Sequence, residues 1–169
     1  MDHSTKEIFW GQFGAAIDTL ENAISNCPNE LWFDKSQYHQ YWYMASHTLF
    51  WLDYYLSEDT ENFKPPAPFG MEEMDPAGVI PDPPYTKEQL LSYLDHDRKK
   101  CRETIFNMTD ELAEKPYNFR KGSISFAELL LYSMRHVQHH AAQMNLILRQ
   151  RLDFPSPWVF QTKSDIKGE

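Results

Sequence analysis

Apolar residues recur along most of this chain in alternating steps of three and four, the period of an amphipathic helix. Between about Thr5 and Asn26, Trp10, Phe13, Ile17, Leu20 and Ile24 form one stripe, with Ser4 as the expected N-cap and Pro28 just past the end. From about Ser36 to Leu56, Tyr38, Trp42, Ala45, Leu49, Leu52 and Leu56 form one stripe, and Tyr43, His47, Phe50 and Tyr54 form a second on roughly the opposite side. A helix apolar on two sides is buried on two sides, here by the bundle and by a subunit, a long loop or a ligand. A third helix is expected from about Lys87 to Met108, opened by the capping box of Thr86 and Gln89, with Leu91, Leu94, Cys101, Ile105 and Met108 inward. A fourth is expected from about Phe126 to Arg151, opened by Ser125 and Glu128 after a turn at Lys121-Gly122. No segment reads as a strand. The expectation is an all-α protein, one four-helix bundle domain spanning residues 1–169.

The stretch Ser57 to Tyr85 interrupts this pattern. Pro65, Pro66, Pro68, Pro76, Pro81, Pro83 and Pro84 exclude long regular structure there. Such a connection is either a crossover strap between distant helix ends or a functional loop. Phe63, Phe69, Met71, Met74 and Ile80 could dock it onto apolar surface. After Phe154, Pro155, Pro157, Trp158 and Phe160 suggest a packed extension before a charged end.

Composition narrows the partners. Of 169 residues, 41% are hydrophobic and 24% charged, a globular balance. Aromatics at 15% imply large buried surfaces or a lined pocket. The net charge of -9 argues against nucleic acid, whose phosphates demand a basic patch, and against an anionic membrane surface. Cys27 and Cys101, both in helical or helix-end patterns, make no disulfide framework, and the start of the chain lacks the layout of a signal peptide. No apolar run approaches the roughly 20 residues of a membrane span. A cytoplasmic protein is expected.

The candidate chemistry lies in histidine. His136 and His140 are four residues apart on the fourth helix, one turn apart on one face and close enough to ligate one ion. Their stripe, with Leu129, Gln143 and Ile147, adjoins the core stripe of Phe126, Leu130, Val137, Ala141, Met144 and Leu148, opposite a solvent face of Arg135, Gln138, Ala142 and Arg149. Imidazoles at that margin need hydrogen bonds or a metal. His47 on the second helix supplies a third imidazole, and three neutral imidazoles with an open position are a common catalytic zinc arrangement, also open to nickel or ferrous iron. The other reading is a pair of core-edge histidines bonded to hydroxyls or carbonyls. His139 lies about 100° round the helix from His140 and reads as a supporting or surface residue. His3, His39 and His96 have no partner spacing.

At these residues the chain resembles the DinB/YfiT-like family of metal-binding four-helix bundles. The likeness rests on His136-Val137-Gln138-His139-His140-Ala141-Ala142-Gln143, similar to that family's H-x-x-H-H-x-x-Q pattern, and on the lone His47 in Met44-Ala45-Ser46-His47-Thr48-Leu49. The resemblance implies an up-down-down-up bundle, often a homodimer, with zinc or nickel held by His47, His136 and His140. It further implies a thiol-dependent S-transferase, joining a low-molecular-weight thiol to a small-molecule substrate, or a metal-dependent hydrolase. A non-catalytic metal-binding or interaction bundle is the alternative. Ala141-Ala142 departs from the Arg-Gly often found there in relatives and removes an anion contact.

Hydrolysis profits from a carboxylate base, and none is evident: the helix lacks the glutamate of H-E-x-x-H, Glu128 lies about 80° from His136, and Asp53 sits on a different face from His47. A base could come from the Glu72-Glu73 region of the long loop. This tilts the expectation toward a thiol activated by the metal. Gln143 faces the same way as His140 and is placed to hydrogen-bond a ligand histidine or a water. Tyr43, Phe50 and Tyr54 flank His47 as pocket lining, core or dimer contact.

Overall fold

Helices form where the apolar period demands burial, and their ends follow the capping chemistry. The computed structural model describes residues 1–36, 40–154 and 156–162. Helix α1 (His3–Asn26) starts earlier than expected because Asp2, not Ser4, is the N-cap: its carboxylate accepts the Thr5 N–H at 2.8 Å and adds a negative charge at the helix N-terminus. A short helix, α2 (Asn29–Trp32), follows Pro28 and buries Trp32, whose indole N–H donates to the Tyr85 carbonyl at 3.0 Å. The next helix, α3, covers only Tyr41–Tyr55 of the expected Ser36–Leu56. Before it, the Asp34 carboxylate accepts the Ser36 N–H at 2.9 Å, a turn that competes with helix. Tyr38 and His39, placed by sequence in and beside this helix, lie outside the described residues.

Helix α4 (Lys87–Asn107) and helix α6 (Phe126–Leu152) open with the two expected capping boxes. Leu90, rather than Leu91, heads the inner face of α4. Both α4 and α6 pack against α1 and against α3, so the four long helices ring the core in the order α1, α4, α3, α6. Ile17, Leu20, Trp42, Leu49, Leu94, Val137 and Met144 are among the side chains that fill it. The all-α class and the four-helix bundle stand. No helix among the described residues is long and apolar enough to cross a membrane.

Two small elements were not expected. Helix α5 (Asp110–Glu114), capped by Thr109, leads into a hairpin of β1 (Pro116–Phe119) and β2 (Gly122–Ser125), paired antiparallel with Phe119 opposite Gly122. Four-residue strands are too short to display a period of two. What holds the hairpin is aromatic: Tyr117 and Phe119 pack against Tyr55, and Phe119 against Tyr132.

The long connection is a strap across the second face of α3. Phe63 packs edge-on against Phe50 and Tyr54, and Phe69 stacks on Tyr93 with ring centroids 4.4 Å apart. Met71, Met74 and Ile80, also expected to dock, remain exposed. Strap and hairpin cover part of the second apolar face of α3: Phe50 is buried, whereas Tyr43, His47 and Tyr54 stay half-buried. The tail is only partly the packed extension expected. Ser156 and Thr162 are hydrogen-bonded to the bundle, whereas Trp158 and Phe160 project into solvent; Pro155 lies outside the described residues.

Charged side chains tie the helices at two places. Arg98 of α4, nearly buried, reaches α1 at Asp18 (2.7 Å) and Glu21 (2.6 Å). Between α3 and α4, Asp53 is buried and engaged: Lys100 binds its carboxylate at 2.5 Å and Tyr93 donates to it at 3.0 Å. Asp97 beside it is wholly buried and both its oxygens lack a hydrogen-bond partner among the described residues. Burial, and then the Asp53 charge, push the Asp97 carboxyl well above its usual range against the opposing pull of Lys100. The folded state thus keeps a proton that the unfolded chain releases above about pH 3.9, so Asp97 costs stability as the pH rises. Asp97→Asn is expected to raise the midpoint of urea unfolding at pH 7. The gain should shrink as the pH falls toward the ordinary aspartate value, and an equal gain at all pH values would contradict a titrating Asp97.

Candidate metal centre

The site lies where the strap crosses α3 opposite the middle of α6. Core residues Val137, Ala141 and Met144 fix the rotation of α6, leaving His136 and His140 half-buried at the edge of the packed face. On α3, buried Met44, Ala45 and Thr48 likewise leave His47 facing them. The three imidazole rings come together, with centroids 5.3 Å apart for His47 and His136, 5.0 Å for His47 and His140 and 4.6 Å for His136 and His140. One nitrogen from each lies within 4.8 Å of the others, so the three residues named from sequence form a group that could hold a metal ion.

The hydrogen bonds behind the rings decide which nitrogens face inward. His47 Nδ1 is 2.8 Å from the Glu73 carboxylate, which also accepts the Trp51 indole N–H at 3.2 Å. Burial alone would raise the Glu73 carboxyl, but the bonds and charge of His47, with help from Tyr43 and Trp51, outweigh it and hold Glu73 below the usual glutamate value. An ionised carboxylate only accepts, so Nδ1 of His47 donates to it, and Nε2 is the nitrogen left to offer a lone pair when the ring is neutral. On α6, His140 Nδ1 donates to the Gln143 side-chain carbonyl at 2.8 Å, which leaves Nε2 of His140 as the second lone pair. That Nε2 lies 3.1 Å from Nε2 of His136. Two imidazole nitrogens bound at about 2.0–2.1 Å to one four- to six-coordinate ion would be about 3.0–3.4 Å apart, so the spacing suits a shared metal.

His136 supports the same reading. Burial first, then the neighbouring His140, His47 and His139, lower its imidazole to about pKa 4, with Glu73 pulling the other way. It is therefore neutral at pH 7, as a metal ligand must be. Its Nδ1 is buried with no hydrogen-bond partner among the described residues.

Glu73 was singled out from sequence only as a possible base. Its place on His47 was not legible, because it sits in an irregular strap 26 residues away where no period relates the two. Gln143 does hydrogen-bond a candidate ligand, as expected. His139 is exposed, its ring 5.1 Å from that of His140, and His3 is exposed beside Glu7. His96, which had no partner by spacing, approaches Asp53 at 3.7 Å. Asp53, His96 and Asp97 also lie within 4.8 Å of one another, but Lys100 already supplies a cation to that carboxylate pair. Asp53 faces α4, away from His47, as its helix position implied.

A sequence profile of the DinB superfamily matches residues 12–144, which include His47, Glu73, His136, His140 and Gln143. No curated protein and no solved structure matches the chain. The match covers most of the sequence, and the chain belongs to the DinB superfamily.

Proposed function

We propose that His47, His136 and His140 bind one divalent ion, zinc or nickel, and that the site transfers a low-molecular-weight thiol to a small-molecule substrate. The observation that carries the metal reading is the pair of buttressed imidazoles. Glu73 behind His47 and Gln143 behind His140 each occupy Nδ1 and aim the other nitrogen inward, the usual support of a metal-ligating histidine. Three neutral ligands would leave coordination positions open for substrate. When bound, the ion supplies Lewis acidity that lowers the pKa of a coordinated thiol or water.

The chain's own residues favour thiol chemistry over hydrolysis. Oε2 of Glu73 is taken by His47 and Trp51 and its Oε1 is buried without a hydrogen-bond partner among the described residues, so the carboxylate is placed to orient His47 and offset charge rather than to reach a water. In the transfer, the thiol sulfur bonds an electrophilic carbon of the substrate, the thiol proton passes to solvent and the displaced group leaves with its electron pair. The thiol must come from outside. Both cysteines are buried, and burial pushes the Cys27 thiol up to about 12 and that of Cys101 well above its usual value, leaving neither as a nucleophile. A hydrolase acting through the same ion remains the second reading.

Elemental mass spectrometry of the untagged protein is expected to find close to one zinc or nickel per chain, lost in His47→Ala and in His140→Ala. Glu73→Gln should keep the site but weaken the ion by about 10- to 100-fold. An absence of metal after reconstitution would remove the catalytic reading and leave core-edge histidines. With cobalt in the site, 2-mercaptoethanol should change the metal's absorption spectrum; no change and no binding would defeat thiol transfer while sparing the metal. Native protein should show almost no reaction of Cys27 or Cys101 with dithionitrobenzoate, and both should titrate on unfolding in guanidinium.

A further inference from the structure

The tail after α6 turns back along α1, and two glycines let it do so. A Cβ on Gly14 would lie 2.6 Å from Cγ2 of Thr162, and one on Gly11 2.9 Å from the Gln161 amide nitrogen. At one end the Thr162 N–H donates to the Gly11 carbonyl at 3.0 Å and its hydroxyl to Asp18 at 2.7 Å. At the other the Ser156 hydroxyl donates to Asn145 of α6 at 2.5 Å. Between these ties the tail walls a groove over α1 and α6, a hollow of about 690 Å³ continued by one of about 400 Å³ that shares Gln138, Ala142, Trp158 and Val159. The α6 face expected to be bare, Arg135, Gln138, Ala142 and Arg149, is therefore the floor of this groove.

Its chemistry is unlike the rest of the surface. In a chain of net charge -9, no Asp or Glu lines either hollow, while Arg135 and Arg149 do. Neither guanidinium has a hydrogen bond or ion pair with a described residue. Trp158 and Phe160, 85% and 81% exposed, stand at the rim as large apolar surfaces without a covering partner among the described residues. The volume falls within the roughly 300–1,000 Å³ of small-molecule sites. A guanidinium offers planar paired donors for a carboxylate, and the aromatic rings offer an apolar seat for the body attached to it.

We infer that this groove binds a small amphipathic anion, an aromatic carboxylate, with its carboxylate on Arg135 and its ring against Trp158 and Phe160. The ring of His136 lines the groove while its Nε2 faces His140, so a ligand seated there lies beside the histidine cluster. That such a ligand is the substrate of that centre rests on the proposed function. Its binding does not, because the groove's contacts are side chains.

The test is titration calorimetry with 2-naphthoate and its neutral isostere 2-naphthamide, on chelator-treated and zinc-treated protein. Both preparations should bind 2-naphthoate about 5- to 10-fold more tightly than the amide, the worth of a partly exposed charge-assisted contact. Arg135→Gln should bring the acid down to the affinity of the amide. Trp158→Ser with Phe160→Ser should weaken both ligands by about tenfold. His47→Ala, which removes a proposed metal ligand, should leave binding intact, so failure of the metal site and failure of the groove read differently. The inference is overturned if 2-naphthoate shows no binding up to about 5 mM. It is equally overturned if binding requires zinc and disappears in His47→Ala. A double tail variant that lowers the mass in sedimentation equilibrium but leaves 2-naphthoate affinity unchanged would make the rim a contact between copies, and would also overturn it.

Discussion

The hydrogen bond from His47 to Glu73 joins the long Pro-rich strap to the histidine cluster. Without it, Nδ1 of His47 would be desolvated and unpaired against the strap, a cost of about 1–3 kcal/mol. With it, the tautomer of His47 is fixed, its free nitrogen faces α6, and a negative charge lies one bond behind the imidazoles. A centre built on three neutral histidines alone would leave both charges of a divalent ion without compensation; Glu73 offsets one of them. The strap is thus more than a connection around the bundle. Phe63 and Phe69 anchor it on aromatic residues of α3 and α4, and those anchors determine where Glu73 lands.

Helix α3 carries two polar stations, and helix geometry keeps them apart. His47 and Asp53 are six residues apart, which turns the second side chain about 240° from the first. Each is satisfied by a different neighbour: His47 by the strap, Asp53 by Tyr93 and Lys100 of α4. The α4 station pairs two buried carboxylates with one lysine, and Asp97 is the member left without a partner. A proton on Asp97 balances that station. The histidine station has the opposite character, with imidazole nitrogens converging, those of His136 and His140 at 3.1 Å, and no lysine or arginine among the described side chains between them.

Elements with a repeating burial demand were legible in the sequence. Four helices, both capping boxes and the pairing of His136 with His140 follow from residue spacing and local side-chain bonding, because spacing along a helix is spacing in space; His47, on another helix, was joined to them by the family resemblance. Glu73, the hairpin and the path of the tail were not legible, because each depends on contacts between segments that share no period. Trp158 and Phe160 show the limit most clearly. Their apolar character predicts burial, yet the structure leaves them at the rim of a groove, since the neighbouring ties at Ser156 and Thr162 hold the tail too firmly for the aromatics to turn inward. On the solvent face of α6, Arg135, Ala142 and Arg149 are exposed as they read, but the tail, whose approach Gly11 and Gly14 permit, walls a groove over them that no spacing announces.

The position of the cluster bears on what an ion would do there. Apolar side chains from all four long helices form a continuous core around Leu20, Leu49, Leu94 and Val137, the starts of α1, α4 and α6 are capped, and Arg98 clamps α4 to α1. None of this involves the histidines, which sit half-buried at the margin of that core. In a small domain folded by its metal, the affinity for the ion is the folding free energy, because no site exists before binding. Here the bundle brings the imidazoles together through its own packing and orients two of them with its own hydrogen bonds. An ion would bind a site already assembled, and its affinity would be available for substrate chemistry rather than consumed in ordering the chain.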